Sequence, residues 1–176
     1  MRLSKLLEKN EETDKGTYAG LRFSQDDEDV IMGIVKEMDV PNPIQREEIH
    51  LTLLYSRKTL PNYKPAEMTD MWAYPRGYHI FNGKDGKNIL VILLESEDAN
   101  YRHQKLMAQH EATYDFPEYR PHITLSYDIE DFMRLRNKKS VLVNIKEKYD
   151  KLLPKEFHLN EEYTQDLETD WKKTKD

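Results

Sequence analysis

Two short stretches of the sequence combine histidine and threonine in the same arrangement. The first, HLTLLY, covers residues 50–55, and the second, HITLSY, covers residues 122–127. Both stretches alternate and are rich in Leu, Ile, Thr and Tyr, which predicts β-strands. Because side chains of a strand alternate between its two faces, the histidine and the threonine of each stretch share one face. We therefore expect the two strands to form a cleft lined by two imidazoles and two hydroxyl groups.

This set of side chains is suited to the chemistry of a phosphodiester. Histidine gives or takes a proton near neutral pH without special tuning, and a threonine hydroxyl can donate a hydrogen bond to an oxygen that gains negative charge. Cleavage of a phosphodiester requires one hydroxyl to lose a proton, the leaving oxygen to gain one, and the non-bridging oxygens to be stabilised. Which histidine is the acid is left open. The predicted catalytic residues are His50, Thr52, His122 and Thr124.

Other side chains are candidates for packing or for contacts with a nucleotide. In a regular strand, Tyr55 and Tyr127 point away from the histidines, so we expect them to be packing residues. Aromatic rings can stack on bases for roughly 1–3 kcal/mol each, and arginine can bind phosphate. The stacking candidates are Tyr18, Trp72 and Tyr74, and the cationic candidates are Arg120, Arg76 and Arg22.

Composition limits the class of protein. A chain of 176 residues with 38% hydrophobic content predicts one domain. The net charge of −6 disfavours long nucleic acid as a partner. Cysteine is absent, and His103 and His110 are only two possible ligands on one helix face, so we expect neither a metal nor a cofactor. The apolar runs are too short to cross a membrane, and we expect a cytoplasmic protein.

The order of elements before each motif is the same: a strand, a helix, a loop that contains proline, and the motif strand. The predicted class is α+β, with one domain at residues 16–167, an N-terminal arm or short helix at 1–15 and a charged tail at 168–176 that contains Trp171. Before the first motif we predict a strand at 16–24, a helix capped by Ser24, and a loop at Pro41–Pro43. The later predictions are strands at 71–81 and 88–95, a helix at 97–112, a helix at 129–139, a strand at 141–145 and a strand at 157–167.

The two motifs resemble the paired H-x-T signatures of the two-histidine (2H) phosphoesterase superfamily. The resemblance implies a bilobal α+β domain, in which two pseudo-symmetric antiparallel sheet lobes flanked by helices surround a central cleft. It also implies metal-independent cleavage by His50, Thr52, His122 and Thr124. Within the superfamily the size, the acidic balance and the VPNPI segment at residues 40–44 most resemble phage anti-CBASS proteins, which degrade cyclic di- and trinucleotide messengers of bacterial antiviral signalling. A cyclic oligonucleotide substrate in the host cytoplasm is therefore expected.

Three alternatives stay open at this point. The first is an RNA 2′,3′-cyclic or 2′,5′-phosphodiesterase, which the acidic charge disfavours if the substrate is long RNA. The second is a non-catalytic sponge for cyclic nucleotides, which would not need two acid–base groups. The third is a module that binds a host or phage factor. The sequence does not predict base preference, ring size, product termini or oligomeric state.

Overall fold

The structure is a computed structural model, which describes residues 16–83, 85–134 and 137–167. The predicted N-terminal arm at 1–15 and the tail at 168–176, with Trp171, lie outside the described residues. The described chain forms the strands β1 (Thr17–Phe23), β2 (Leu51–Ser56), β3 (Met71–Asn82), β4 (Asn88–Glu95), β5 (His122–Ser126) and β6 (Phe157–Asp166), and the helices α1 (Gln25–Met38), α2 (Glu97–His110) and α3 (Lys138–Tyr149).

The six strands form an antiparallel sheet in the order β2-β1-β6-β3-β4-β5, so the two motif strands lie at its two edges. The long strand β3 joins the two halves, because Met71–Ala73 pair with β6 and the residues after them pair with β4. The predicted α+β class is confirmed. The pseudo-symmetry of two lobes stays a prediction.

The helices α1 and α2 begin in the same way. Each has 14 residues and follows a serine whose hydroxyl accepts a backbone hydrogen bond: Ser24 from the N–H of Asp27 and Ser96 from the N–H of Ala99. Acidic residues occupy both first turns, where they stabilise the positive end of the helix dipole. The sequence signal at Ser24 therefore predicts the observed start of α1.

The segment between β5 and β6 differs from its prediction. A helix at 129–139 and a strand at 141–145 were expected, but α3 begins only at Lys138, after a side-chain cap from Asn137. The alternating apolar residues resemble a strand pattern. In the structure Val141 and Ile145 form the buried face of the helix, one turn apart, and Val143 between them is 49% exposed.

Loops connect the two edges of the sheet. The backbone N–H of Ile44, in the loop before β2, donates to the carbonyl of Leu125 in β5 over 2.9 Å. The hydroxyl of Tyr119, in the loop before β5, donates to the carbonyl of Thr52 in β2 over 2.7 Å. Each motif strand is thus hydrogen-bonded to the loop that leads into the other motif, which brings both motifs to one place.

A buried ion pair connects α2, β6 and the loop after β2. The side chain of Glu162 is 0% exposed and accepts from Arg102 at 2.7 and 2.8 Å and from the hydroxyl of Tyr63 at 2.6 Å. A buried carboxylate of this kind is tolerated only when its partners are in place. The loss of Arg102 would leave a charge in the interior with its main partner missing.

We predict that Arg102→Met lowers the free energy of unfolding by about 3 kcal/mol, because it leaves Glu162 buried and poorly compensated. Urea unfolding followed by circular dichroism measures this change. The matched control is Arg76→Met, which removes an ion pair to Glu95 whose side chains are 55% and 58% exposed. That control should cost less than about 1 kcal/mol, and equal losses in both variants would contradict the prediction.

Candidate active site

Both motif strands contain a β-bulge directly after the threonine. The pairing register between β1 and β2 shifts so that Leu53 is the extra residue, and the register between β4 and β5 shifts so that Leu125 is the extra residue. A bulge places two residues opposite one and reverses the facing of all residues that follow it. Because the bulge occurs at the same position in both motifs, it changes in the same way which side chains share a face with the two threonines.

The bulges place Tyr55 and Tyr127 on the same face as the threonines, so their prediction as packing residues on the opposite face was wrong. Tyr18 contacts both Tyr55, with ring centroids 4.8 Å apart, and Thr52, with 3.3 Å between the hydroxyl oxygens. In the second motif, burial raises the pKa of Tyr127, and the side chain of Thr124 partly offsets this rise. The prediction failed because it assumed regular alternation along each strand.

The two histidines are fixed by the same backbone contact. Nδ1 of His50 lies 2.5 Å from the carbonyl oxygen of Glu48, and Nδ1 of His122 lies 2.8 Å from the carbonyl oxygen of Arg120. A carbonyl oxygen only accepts, so Nδ1 carries the proton in both rings. In the neutral state Nε2 is then the basic nitrogen of each ring, and it is the atom that can exchange a proton with a bound molecule.

Burial lowers the pKa of both histidines. For His50, burial is the largest cause, and the nearby guanidinium of Arg22 lowers the pKa further. For His122, burial is again the largest cause, and His50 and Arg120 add to it. The hydrogen bonds to the carbonyl groups partly oppose these effects. Since the pKa of each histidine lies below its usual value, both imidazoles are mainly neutral at pH 7.

Tyrosines surround the first motif. The Tyr18 ring meets the His50 ring edge-on, with centroids 5.8 Å apart, and its hydroxyl accepts from Tyr163 over 3.2 Å. A Cβ at position 20 would lie 2.5 Å from the Tyr18 hydroxyl, so any residue other than Gly20 would displace the Tyr18 ring. Burial raises the pKa of Tyr18 well above its usual value, so the phenol stays protonated. Tyr18 was predicted to stack on a base, yet it is 5% exposed and its hydroxyl faces Thr52.

Cationic residues surround the second motif. The ring of Phe81 lies 5.2 Å from His122, and the guanidinium of Arg120 lies over Phe81 at 5.1 Å. Phe81 also contacts His79, whose pKa is lowered by burial and by Arg120 and two lysines of α3. The structure therefore places the predicted phosphate ligand Arg120 beside His122, and its role stays a prediction. Phe81 and Tyr163 were missed because neither belongs to a recognisable motif.

The remaining aromatic candidates, Trp72 and Tyr74, lie away from the two motifs. Trp72 pairs with His158 across β3 and β6, and its indole ring packs on that imidazole at 4.6 Å. Ala73, which follows Trp72, and Leu159, which follows His158, are both buried on the core side of the sheet. Because side chains alternate along a strand, Trp72 and Tyr74 point to the opposite side. That side also carries Tyr18 and Tyr163. Trp72 is 37% exposed and Tyr74 40%, so both rings are accessible.

The described residues contain neither a metal-binding cluster nor a membrane span. Within them, no three His, Asp or Glu side chains come together in a group that could bind a metal ion. In the same part of the chain, no helix has the length and apolar character needed to cross a membrane.

The fold is that of an α+β protein in which each of the two edge strands of the sheet follows or contains a histidine and a threonine of one motif. A comparison with protein-family models matches residues 15–174 to "Anti-CBASS protein Acb1". The chain is 35% identical over 161 residues to the "Anti-CBASS protein Acb1" of Yersinia phage phiR1-RT, covering 92% of this chain and 94% of that protein. The chain therefore belongs to the Acb1 family of anti-CBASS proteins.

Two further relatives and one solved structure are similar to the chain. The Acinetobacter phage Ac42 protein "Anti-CBASS protein Acb1" is 33% identical, covering 90% of this chain and 95% of that protein. The protein of the same description from Enterobacteria phage T4 is 38% identical, covering 65% of this chain and 73% of that protein. The crystal structure of the protein TT0787 of Thermus thermophilus has a TM-score of 0.42 at 14% identity, covering 85% of this chain and 83% of that chain.

We predict that His50 and His122 both titrate below pH 6.5 in the ligand-free protein, since burial disfavours the charged imidazolium. We also predict that His50→Ala raises the pKa of His122, because it removes a like charge and exposes the ring to water. Titration of the histidine side-chain resonances by NMR measures both effects. The partly exposed ring of His110 in the same spectra serves as the internal control. An unchanged or lower pKa of His122 in the variant would contradict the predicted interaction.

Proposed function

We propose that this protein is a metal-independent phosphodiesterase that opens cyclic di- and trinucleotide second messengers in the cytoplasm of an infected bacterium. The observation that carries the proposal is the pair of half-buried imidazoles, each with Nδ1 fixed by a carbonyl and each followed two residues later by a threonine. Membership of the anti-CBASS family supports the antiviral-signalling context. The acidic net charge of −6 fits a small ligand better than long RNA.

The proposed reaction is an internal transfer within one nucleotide. The Nε2 atom of one imidazole removes the proton of the ribose 2′-hydroxyl, and O2′ forms a bond to the adjacent 3′-phosphorus. The bond from phosphorus to O5′ of the next nucleotide breaks as the other imidazole donates its proton to O5′. The ring opens with a 2′,3′-cyclic phosphate at one end and a 5′-hydroxyl at the other. The two imidazoles together neither gain nor lose a proton.

The threonines supply hydrogen-bond donors for the charge that develops on the non-bridging oxygens. Thr52 and Thr124 follow their histidines by two residues. The hydroxyl of Thr52 lies 3.3 Å from the hydroxyl of Tyr18, and the side chain of Thr124 interacts with Tyr127 and lowers the pKa of that phenol. These contacts restrict the rotation of the threonine hydroxyls before a substrate arrives. Donors that are already oriented need no reorganisation during the reaction, and losing one typically costs about 10²–10³-fold in rate.

The surrounding charges favour His50 as the acid and His122 as the base. Burial lowers the pKa of His50, and of the two charges near this ring the guanidinium of Arg22 lowers the pKa while the carboxylate of Glu48, with a smaller effect, raises it. The pKa of His122 is lowered by both the neighbouring imidazole and Arg120. When two such groups share one proton, the proton resides more on the site with the more negative surroundings.

We predict that the wild-type protein opens 3′,3′-cyclic di- and trinucleotides in excess EDTA, and that His50→Ala and His122→Ala each lower the rate by about 10²–10⁴-fold. Chromatographic separation of substrates and products measures this. The panel also contains a 2′,5′-linked oligoadenylate and an RNA with a 2′,3′-cyclic end. The control variant is His110→Ala, which changes a partly exposed histidine at the end of α2 and should retain full activity.

Other outcomes of this panel would replace the proposal. Turnover of only the RNA end or the 2′,5′-linked substrate would indicate an RNA phosphodiesterase. Tight retention of an intact cyclic nucleotide would indicate a sponge. Loss of activity in EDTA that returns with a divalent metal would contradict metal-independent chemistry.

The assignment of acid and base has a separate test. We predict that a substrate with sulfur in place of the leaving O5′ restores His50→Ala to within about tenfold of wild type, because a thiolate leaves without protonation. His122→Ala should not recover, because the 2′-hydroxyl still requires a base. Release of the thiol, followed with a colorimetric thiol reagent, measures both rates. Recovery of His122→Ala instead would reverse the assignment.

A further inference from the structure

Some carbonyl groups of the first motif strand have no neighbouring strand that could donate a hydrogen bond to them. In the sheet order β2 is an edge strand, so one side of its backbone has no neighbouring strand. The carbonyl of Thr52 instead accepts from the hydroxyl of Tyr119 over 2.7 Å, and the carbonyl of Leu53 accepts from Nδ1 of His103 over 2.7 Å. These two carbonyls belong to the motif threonine and to the bulged residue that follows it.

The two donors form one rigid unit. The rings of His103 and Tyr119 are stacked, with centroids 4.2 Å apart and an angle of 6° between their planes, and Tyr114 meets the His103 ring edge-on at 4.7 Å. His103 is 8% exposed, and burial lowers its pKa, so the ring is neutral at pH 7 and its single proton is on Nδ1. Burial likewise raises the pKa of Tyr119, which keeps its hydroxyl a donor.

We propose that His103 and Tyr119 are positioning residues that fix the bulge of β2 and thereby set where the hydroxyl of Thr52 points. A bulge is a local departure from regular pairing, and without the two side-chain donors its outward carbonyls would have to turn toward water. Tyr119 precedes His122 by three residues, so it also couples the two motifs. The kinetic part of this inference rests on the proposed phosphodiesterase function.

The bulge of the second motif strand is stabilised by a backbone group and not by side chains. This difference provides an internal control for the proposal. The carbonyl of the bulged residue Leu125 accepts from the backbone N–H of Ile44, and that bond involves no side chain. Changes at His103 and Tyr119 should therefore affect Thr52 and leave Thr124 in place. A general loss of stability would affect both threonines alike.

The first test is Tyr119→Phe, which removes one hydroxyl and keeps the stacked ring. We expect kcat for the cyclic dinucleotide to fall by about 10–100-fold, because a small displacement of a catalytic group has a large effect on rate. KM should change by less than about threefold, since most binding contacts are unchanged. The matched control is Tyr114→Phe, because Tyr114 lies in the same ring cluster but is not the donor to either carbonyl of β2. It should retain wild-type kcat and a similar melting temperature.

A double-mutant cycle identifies the residue through which Tyr119 acts. In a Thr52→Val background, Tyr119→Phe should lower kcat by less than about twofold, because the group that it positions is already absent. In a Thr124→Val background it should still lower kcat by about 10–100-fold, an expectation that follows from the same positioning argument. Equal effects in both backgrounds would overturn the proposal.

The last measurement does not depend on activity. In Tyr119→Phe and in His103→Phe, the backbone amides of residues 52–54 should exchange with deuterium at least about fivefold faster than in wild type, whereas those of residues 124–126 should not change. Unchanged exchange at residues 52–54 would overturn the positioning role whether or not the protein cleaves a nucleotide. If wild type turns over no substrate but exchange changes as expected, the proposed function fails and the positioning role stands.

Discussion

The site depends on the hydrogen bonds that join each edge strand to the loop before the other motif. The sheet places β2 and β5 at opposite edges, where unpaired backbone groups would otherwise face solvent. The bonds from Tyr119 to Thr52 and from Ile44 to Leu125 come from loops that lead into the opposite motif. Neither motif can therefore move without moving the loop that precedes the other. The distance between the two imidazoles is set jointly by both loops.

The two bulges decide which side chains of each motif lie on the same face of the sheet. In a regular strand the spacing H-x-T-x-x-Y would point the tyrosine away from the histidine and the threonine. One extra residue after each threonine returns Tyr55 and Tyr127 to the cleft side. The same bulge in both strands thus places a tyrosine on the face of the sheet that carries the histidine and the threonine of each motif. The set of side chains beside the two histidines therefore depends on these two shifts of register.

Alternation and capping signals in the sequence predicted the strands before residue 127 and the helices α1 and α2, because these features depend on neighbouring residues. The facing of Tyr55 and Tyr127 could not be predicted, since a bulge is defined by the partner strand. The position of Tyr163 could not be predicted either, because the last strand, β6, inserts between β1 and β3. The apolar spacing in α3 fitted both a strand and a helix, and packing against the sheet decided between them.

The choice of partner for each Nδ1 explains why the pKa of both half-buried imidazoles is lowered. A carboxylate at Nδ1 would stabilise the imidazolium and raise the pKa of each histidine. The carbonyl groups of Glu48 and Arg120 orient the rings without adding a full negative charge, so burial determines the direction of the pKa change. Repulsion between the imidazoles then disfavours the doubly protonated pair. An anionic phosphate between the rings would favour the singly protonated state, which is the state that an acid–base pair requires.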